Sequence, residues 1–107
     1  MTVSSYKGRR DKGISGEREV RHRLEKDGFD VRGLEGKGDH LATKLGADGP
    51  VILHVEVKRQ ETLRVDDWHR QAIAEAPAVA IPTLIYRRSG EPWRAVVLLD
   101  DLLRVLK

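Results

Sequence analysis

The alternation of apolar and polar positions divides the chain into eight elements. Ile14, Val20 and Leu24 recur at helical spacing ahead of the Gly28 stop, which predicts an amphipathic helix over residues 14–27. Phe29 and Val31 then alternate with Asp30 and Arg32 as a short strand. A loop at 33–38 holds three glycines, and a second short strand covers 40–45. Ala47-Asp48-Gly49-Pro50 is a turn that leads, like a hairpin connection, into a strand at 51–58. Val65, Trp68, Ala72 and Ala76 predict a helix over 65–76, closed by Pro77. Residues 79–87 are nearly all apolar, as in a central strand covered on both faces. A turn at 88–92, a strand at 93–99 and a last helix to residue 106, capped by Asp100 or Asp101, complete the chain. The order αβββαβ followed by βα predicts one α/β domain, a central mixed sheet flanked by helices.

Composition narrows the class. A chain of 107 residues, 39% hydrophobic and 35% charged, suits one globular domain. Residues 1–12 are polar, with Lys7, Arg9, Arg10 and Lys12 against the single acid Asp11, and read as a flexible basic arm ahead of a domain spanning 13–107. Nucleic-acid contact and a plain solvated tail are both open readings of that arm. The chain has no cysteine, so disulfides, thiolate metal sites and thiol catalysis are excluded together. Four scattered histidines, at 22, 40, 54 and 69, argue against zinc. A net charge of +3 and a pI near 9.4 favour a polyanionic partner without naming one. No apolar run is long enough for a bilayer and the N-terminus lacks a signal-peptide pattern, so the expected place is the cytoplasm, with no membrane partner.

The chemistry concentrates in the strand at 51–58. Val51, Leu53, Val55 and Val57 point to one face, and Ile52, His54, Glu56 and Lys58 to the other. A carboxylate and an ammonium beside an apolar run are costly unless they pair, bind a metal or line a cleft. Asp39 precedes Glu56 by 17 residues with a turn between, so antiparallel pairing brings the two acids together. In that register Asp39, Glu56 and the Val57 carbonyl are candidate ligands of Mg²⁺, for which Mn²⁺ can substitute, and Lys58 points at an attacking water or a phosphate. Glu17 on the first helix is a candidate third carboxylate or a holder of a second metal's waters. Each residue also has a plainer reading: Asp39 as a turn residue, Glu56 and Lys58 as an ion pair at a strand end, Glu17 as an acid favoured near a helix N-terminus. Glu35-Gly36-Lys37, the other acid-x-Lys triplet, lies in the glycine-rich loop and is background.

Five segments in order resemble the archaeal-type Holliday junction resolvases of the PD-(D/E)xK nuclease superfamily. They are Lys12-Gly13-Ile14-Ser15-Gly16-Glu17-Arg18-Glu19, Gly38-Asp39-His40-Leu41, the strand from Ile52 to Lys58, Ala80-Ile81-Pro82-Thr83-Leu84-Ile85-Tyr86-Arg87, and Pro92-Trp93-Arg94. The resemblance implies a restriction-endonuclease-like domain, metal binding by Asp39 and Glu56, a catalytic Lys58, and Glu17 as an essential acid. It further implies DNA contacts in which Lys12, Arg18, Arg32, Arg59 and Arg87 are the candidate basic residues. Two departures stand out: the loop at 33–38 has no serine, and residues 59–63 lack a lysine pair.

The expected activity is therefore Mg²⁺-dependent hydrolysis of DNA phosphodiesters, resolving four-way junctions by paired nicks. A chain with one site needs a two-fold homodimer for that. The alternatives are a structure-tolerant DNA endonuclease and a DNA-binding module that keeps the fold without catalysis. His54 is left outside the expected site. Trp68 is read as core or dimer contact, Trp93 as core, and Gln71 as facing the site. The helix bearing Trp68 or the strand after Val79 is the expected dimer seam.

Overall fold

A turn of two residues, Ala47-Asp48, fixes the register of the central hairpin. It joins β2 (Asp39–Gly46) to β3 (Gly49–Arg59) as an antiparallel pair. Gly49 takes a φ of 123°, open to a residue without Cβ. From the Gly46–Gly49 pair outward the ladder runs to Asp39 opposite Glu56. A slip of one residue turns Glu56 to the other face, so turn length and site are one decision.

The computed structural model describes residues 2–34 and 39–106, with side chains from residue 14 onward except that of residue 34. β1 (Asp30–Leu34) pairs antiparallel with β2, and β4 (Ile81–Arg87) runs parallel to β3. The parallel pair is joined through α2 (Val65–Glu75), as a crossover connection requires. β5 (Arg94–Val96) closes the sheet antiparallel to β4, giving the order β1-β2-β3-β4-β5. α1 (Thr2–Lys26) and α3 (Leu99–Val105) complete a single α/β domain, a five-stranded mixed sheet flanked by helices. This is the expected fold class and element order.

Both faces of β3 are covered. Val20 of α1 packs on Val31, Ala42, Val55 and Val57, a buried cluster edged by Leu24, Phe29 and Ile85. A fully buried side chain of this kind stabilises by about 1.5–3 kcal/mol. On the opposite face α2 lays Trp68 and Ala72 against β4, and Trp68 meets Tyr86 with ring centroids 6.5 Å apart. Trp68 is thus core, not a free dimer contact. Among the described residues no helix is long and apolar enough to cross a membrane.

Several boundaries differ from expectation. α1 begins at Thr2, so the backbone of the segment read as an arm is helical. No proline precedes residue 50, and the internal Gly8, Gly13 and Gly16 cost a helix only about 1 kcal/mol each. β4 starts two residues late because Ala80 N–H donates to the Pro77 carbonyl, a turn that leaves Val79 78% exposed. β5 is shorter than 93–99, since its ladder spans only Leu84 to Tyr86 of β4. Leu98, not an aspartate, caps α3; Asp100 and Asp101 lie in its first turn. The loop expected at 33–38 is strand at Gly33 and Leu34, and 35–38 lie outside the described residues.

Candidate metal centre

Asp39 opens β2 and Glu56 sits opposite it in β3, as the hairpin register demands. Both are buried, at 1% and 7% exposure. Among the described residues neither Asp39 oxygen has an aligned hydrogen-bond donor, and Glu56 Oε2 has none either. Buried carboxylate oxygens without partners are costly. A cation could offset that cost.

Glu75 joins them from the last position of α2. One carboxylate oxygen each from Asp39, Glu56 and Glu75 all lie within 4.8 Å of one another, close enough to hold a metal ion. An all-oxygen set of this kind suits a hard divalent cation. Glu75 is exposed, and Gln71 Nε2 donates to its Oε1 at 3.1 Å, so Gln71 braces a residue of the cluster. The sequence carried a signal for Glu75: it stands seven residues after Trp68, on the stripe that α2 turns to the sheet. Expectation had instead given the third carboxylate to Glu17.

Electrostatics follow from this crowding. Burial pushes the Glu56 carboxyl up from 4.5 to about 7. Lys58 opposes that rise, with Nζ 3.7 Å from Glu56 Oε1, while the charges of Asp39, Glu75 and Glu17 add to it. Glu17 is therefore felt by Glu56 but stands outside the three-carboxylate cluster. Lys58 keeps about a quarter of its side chain exposed. Val57 turns its side chain into the α1 core, so only its backbone faces this chemistry.

His54 was missed. It shares the Glu56 face of β3, is 1% exposed, and brings Nε2 to 2.6 Å from Asp39 Oδ2. It touches the cluster through Asp39, and its Nδ1 has no partner among the described residues. A buried neighbour of this kind orients a ligand.

The expected DNA-binding residues divide. Arg18 and Arg32 are exposed, Arg32 lying 3.6 Å from Asp30. Arg59 is half-buried where α1 passes closest, since a Cβ on Gly16 would meet Arg59 Cβ at 3.2 Å. Arg87 is turned inward: it pairs with Glu19 at 3.4 Å and stacks over Trp93 at 5.0 Å. Trp93 Nε1 donates to the same Glu19 at 2.9 Å, so Trp93 ties β5's approach to α1 and is part of the packing, as expected. The side chain of Lys12 lies outside the described residues. No family model, curated protein or solved structure matches the chain.

Proposed function

We propose that the chain is a Mg²⁺-dependent endonuclease that hydrolyses DNA phosphodiester bonds, with four-way junctions as its substrate and a homodimer as its working form. The observation that carries this reading is the pair of buried, cross-strand carboxylates, Asp39 and Glu56, whose Oδ1 and Oε2 have no donor among the described residues, beside the ammonium of Lys58. A structural ion pair would leave no oxygen of Asp39 without a donor. When bound, Mg²⁺ lowers the pKa of its water and offsets charge on the scissile phosphate.

The chain's own residues divide the remaining tasks. Asp39, Glu56 and Glu75 would hold the ion, His54 would orient Asp39, and Lys58 would stabilise charge at the attacked phosphate. The Val57 carbonyl is a further candidate ligand. Glu17 would act through its negative field on Glu56, beside the ligands. Arg18 and Arg32 would contact phosphates, whereas the pairing of Arg87 with Glu19 favours a bracing role. The resemblance to junction resolvases in five ordered segments supports the substrate, and the cytoplasm is the corresponding compartment. Cleavage of a labelled junction and of a linear duplex, each with Mg²⁺ and with EDTA, tests the proposal. Cutting of the junction only, dependent on Mg²⁺, is the expected outcome; equal cutting of both DNAs points to a structure-tolerant endonuclease, and junction binding without cutting to a DNA-binding module.

A further inference from the structure

Glu75 is the misplaced acid of α2. Asp66 and Asp67 lie in the first turn, where the helix dipole favours negative charge; Glu75 ends the helix, where the dipole opposes it, and no basic residue stands in that last turn. One of its oxygens also lies within 4.8 Å of an oxygen of Asp39 and of Glu56, so three acids repel one another there. What holds the turn is slight. Gln71 Nε2 donates to Glu75 Oε1 at 3.1 Å, a bond exposed to water, and Ala76 N–H donates to the Ala72 carbonyl before the chain turns extended ahead of Pro77. The buried anchors of α2, Trp68 and Ala72, seat the helix mainly on β4, and beyond them Ile73 is exposed.

The other two acids call for a ligand independently of Glu75. Asp39 and Glu56 are more than nine-tenths buried, and Asp39 Oδ1 and Glu56 Oε2 have no donor among the described residues. Both belong to the β2–β3 hairpin, whereas Glu75 belongs to the crossover helix. A cation shared by all three turns the repulsion at this point into attraction. We propose that Glu75 is the ligand through which a divalent ion clasps α2 to the hairpin, so that metal occupancy seats the last turn of the helix. The ion then closes a loop of the chain from Glu56 to Glu75, the constraint that metal clips place on long loops. This rests on the metal site of the proposed function and adds to it that binding is read out in α2.

Amide hydrogen exchange of the full chain, in saturating Mg²⁺ and in EDTA, tests the clasp. In the wild type the amides of residues 73–76 should gain about tenfold protection with Mg²⁺, while those of residues 20–24 in α1 stay within about twofold. Glu75→Gln removes the repulsion and the ligand together. In EDTA its 73–76 amides should therefore exchange about threefold more slowly than those of the wild type, and Mg²⁺ should add less than about twofold. Calorimetric titration of Mn²⁺ into the same samples keeps the two readings apart. Mn²⁺ binding by the wild type with no Mg²⁺-dependent protection at 73–76, or the full gain in Glu75→Gln, would overturn the clasp and leave a metal centre at Asp39 and Glu56 standing. Absence of Mn²⁺ binding would overturn both.

Discussion

Two clusters of charge sit on opposite faces of the same sheet, and they are built on opposite rules. On the α1 face, Glu19 gives one oxygen to Trp93 Nε1 and the other to Arg87, so the acid is matched donor for acceptor. On the α2 face, Asp39 and Glu56 are more deeply buried than Glu19 and stand beside a third carboxylate; Asp39 Oδ2 meets only His54, and Asp39 Oδ1 and Glu56 Oε2 have no donor among the described residues. The first arrangement braces a helix against a sheet. The second is costly as it stands, and on the proposed reading a bound cation offsets that cost.

Substitution should break the contrast most sharply in activity. On the proposed reading, Asp39→Asn and Glu56→Gln each lower Mg²⁺-dependent cleavage on the order of a thousandfold, with junction affinity in Ca²⁺ nearly intact. Lys58→Ala should lose most cleavage yet keep metal affinity. Glu19→Ala should leave the rate of the folded enzyme close to wild type. A Glu19 variant as dead as Asp39→Asn in the chemical step would erase the distinction between the two clusters.

Stability should move in opposite directions at the two sites. Glu56 holds its proton up to about pH 7 in the folded chain, against 4.5 unfolded. The folded state therefore binds more protons between those values, and the stability so gained is full below pH 4.5 and lost as pH rises through 7. Metal-free protein should lose on the order of 2–3 kcal/mol more than Glu56→Gln does between pH 5 and pH 8. Denaturant melts of both at each pH check this; parallel profiles would show Glu56 ionised without penalty. Glu19→Ala should cost about 1–2 kcal/mol at every pH in that range, since the Trp93 N–H and Arg87 lose their acceptor. The smallest effects belong to exposed Arg18 and Arg32, whose replacement by alanine should each reduce the salt slope of DNA binding by about one, with Arg87→Ala acting on stability instead.

What was legible in the chain was whatever depends on local periodicity. The apolar stripes of α1 and α2 and the alternation in β3 gave the element order, and the turn read at Ala47-Asp48-Gly49-Pro50 allowed Asp39 to be set near Glu56. Glu75 was not legible as a site residue, because an acid at the end of a helix looks like solvated charge until the crossover lays α2 over the hairpin. His54 failed similarly: a lone histidine on a strand has no meaning without the cross-strand partner that puts Asp39 beside it. Arg87 misled for the converse reason. A basic residue at a strand end suggests a phosphate contact, and only the packing of α1 reveals Glu19 waiting for it. Val79 read as part of a covered strand, yet burial is decided by which surfaces find a partner.

The most direct test of the central claim is a calorimetric titration of Mn²⁺ into metal-free protein at pH 8, where Glu56 is ionised. Saturable binding should appear in the wild type, persist in Lys58→Ala and Glu19→Ala, and weaken at least tenfold in Asp39→Asn and in Glu56→Gln. Absence of binding at millimolar Mn²⁺, or unchanged affinity in Asp39→Asn, would contradict the account.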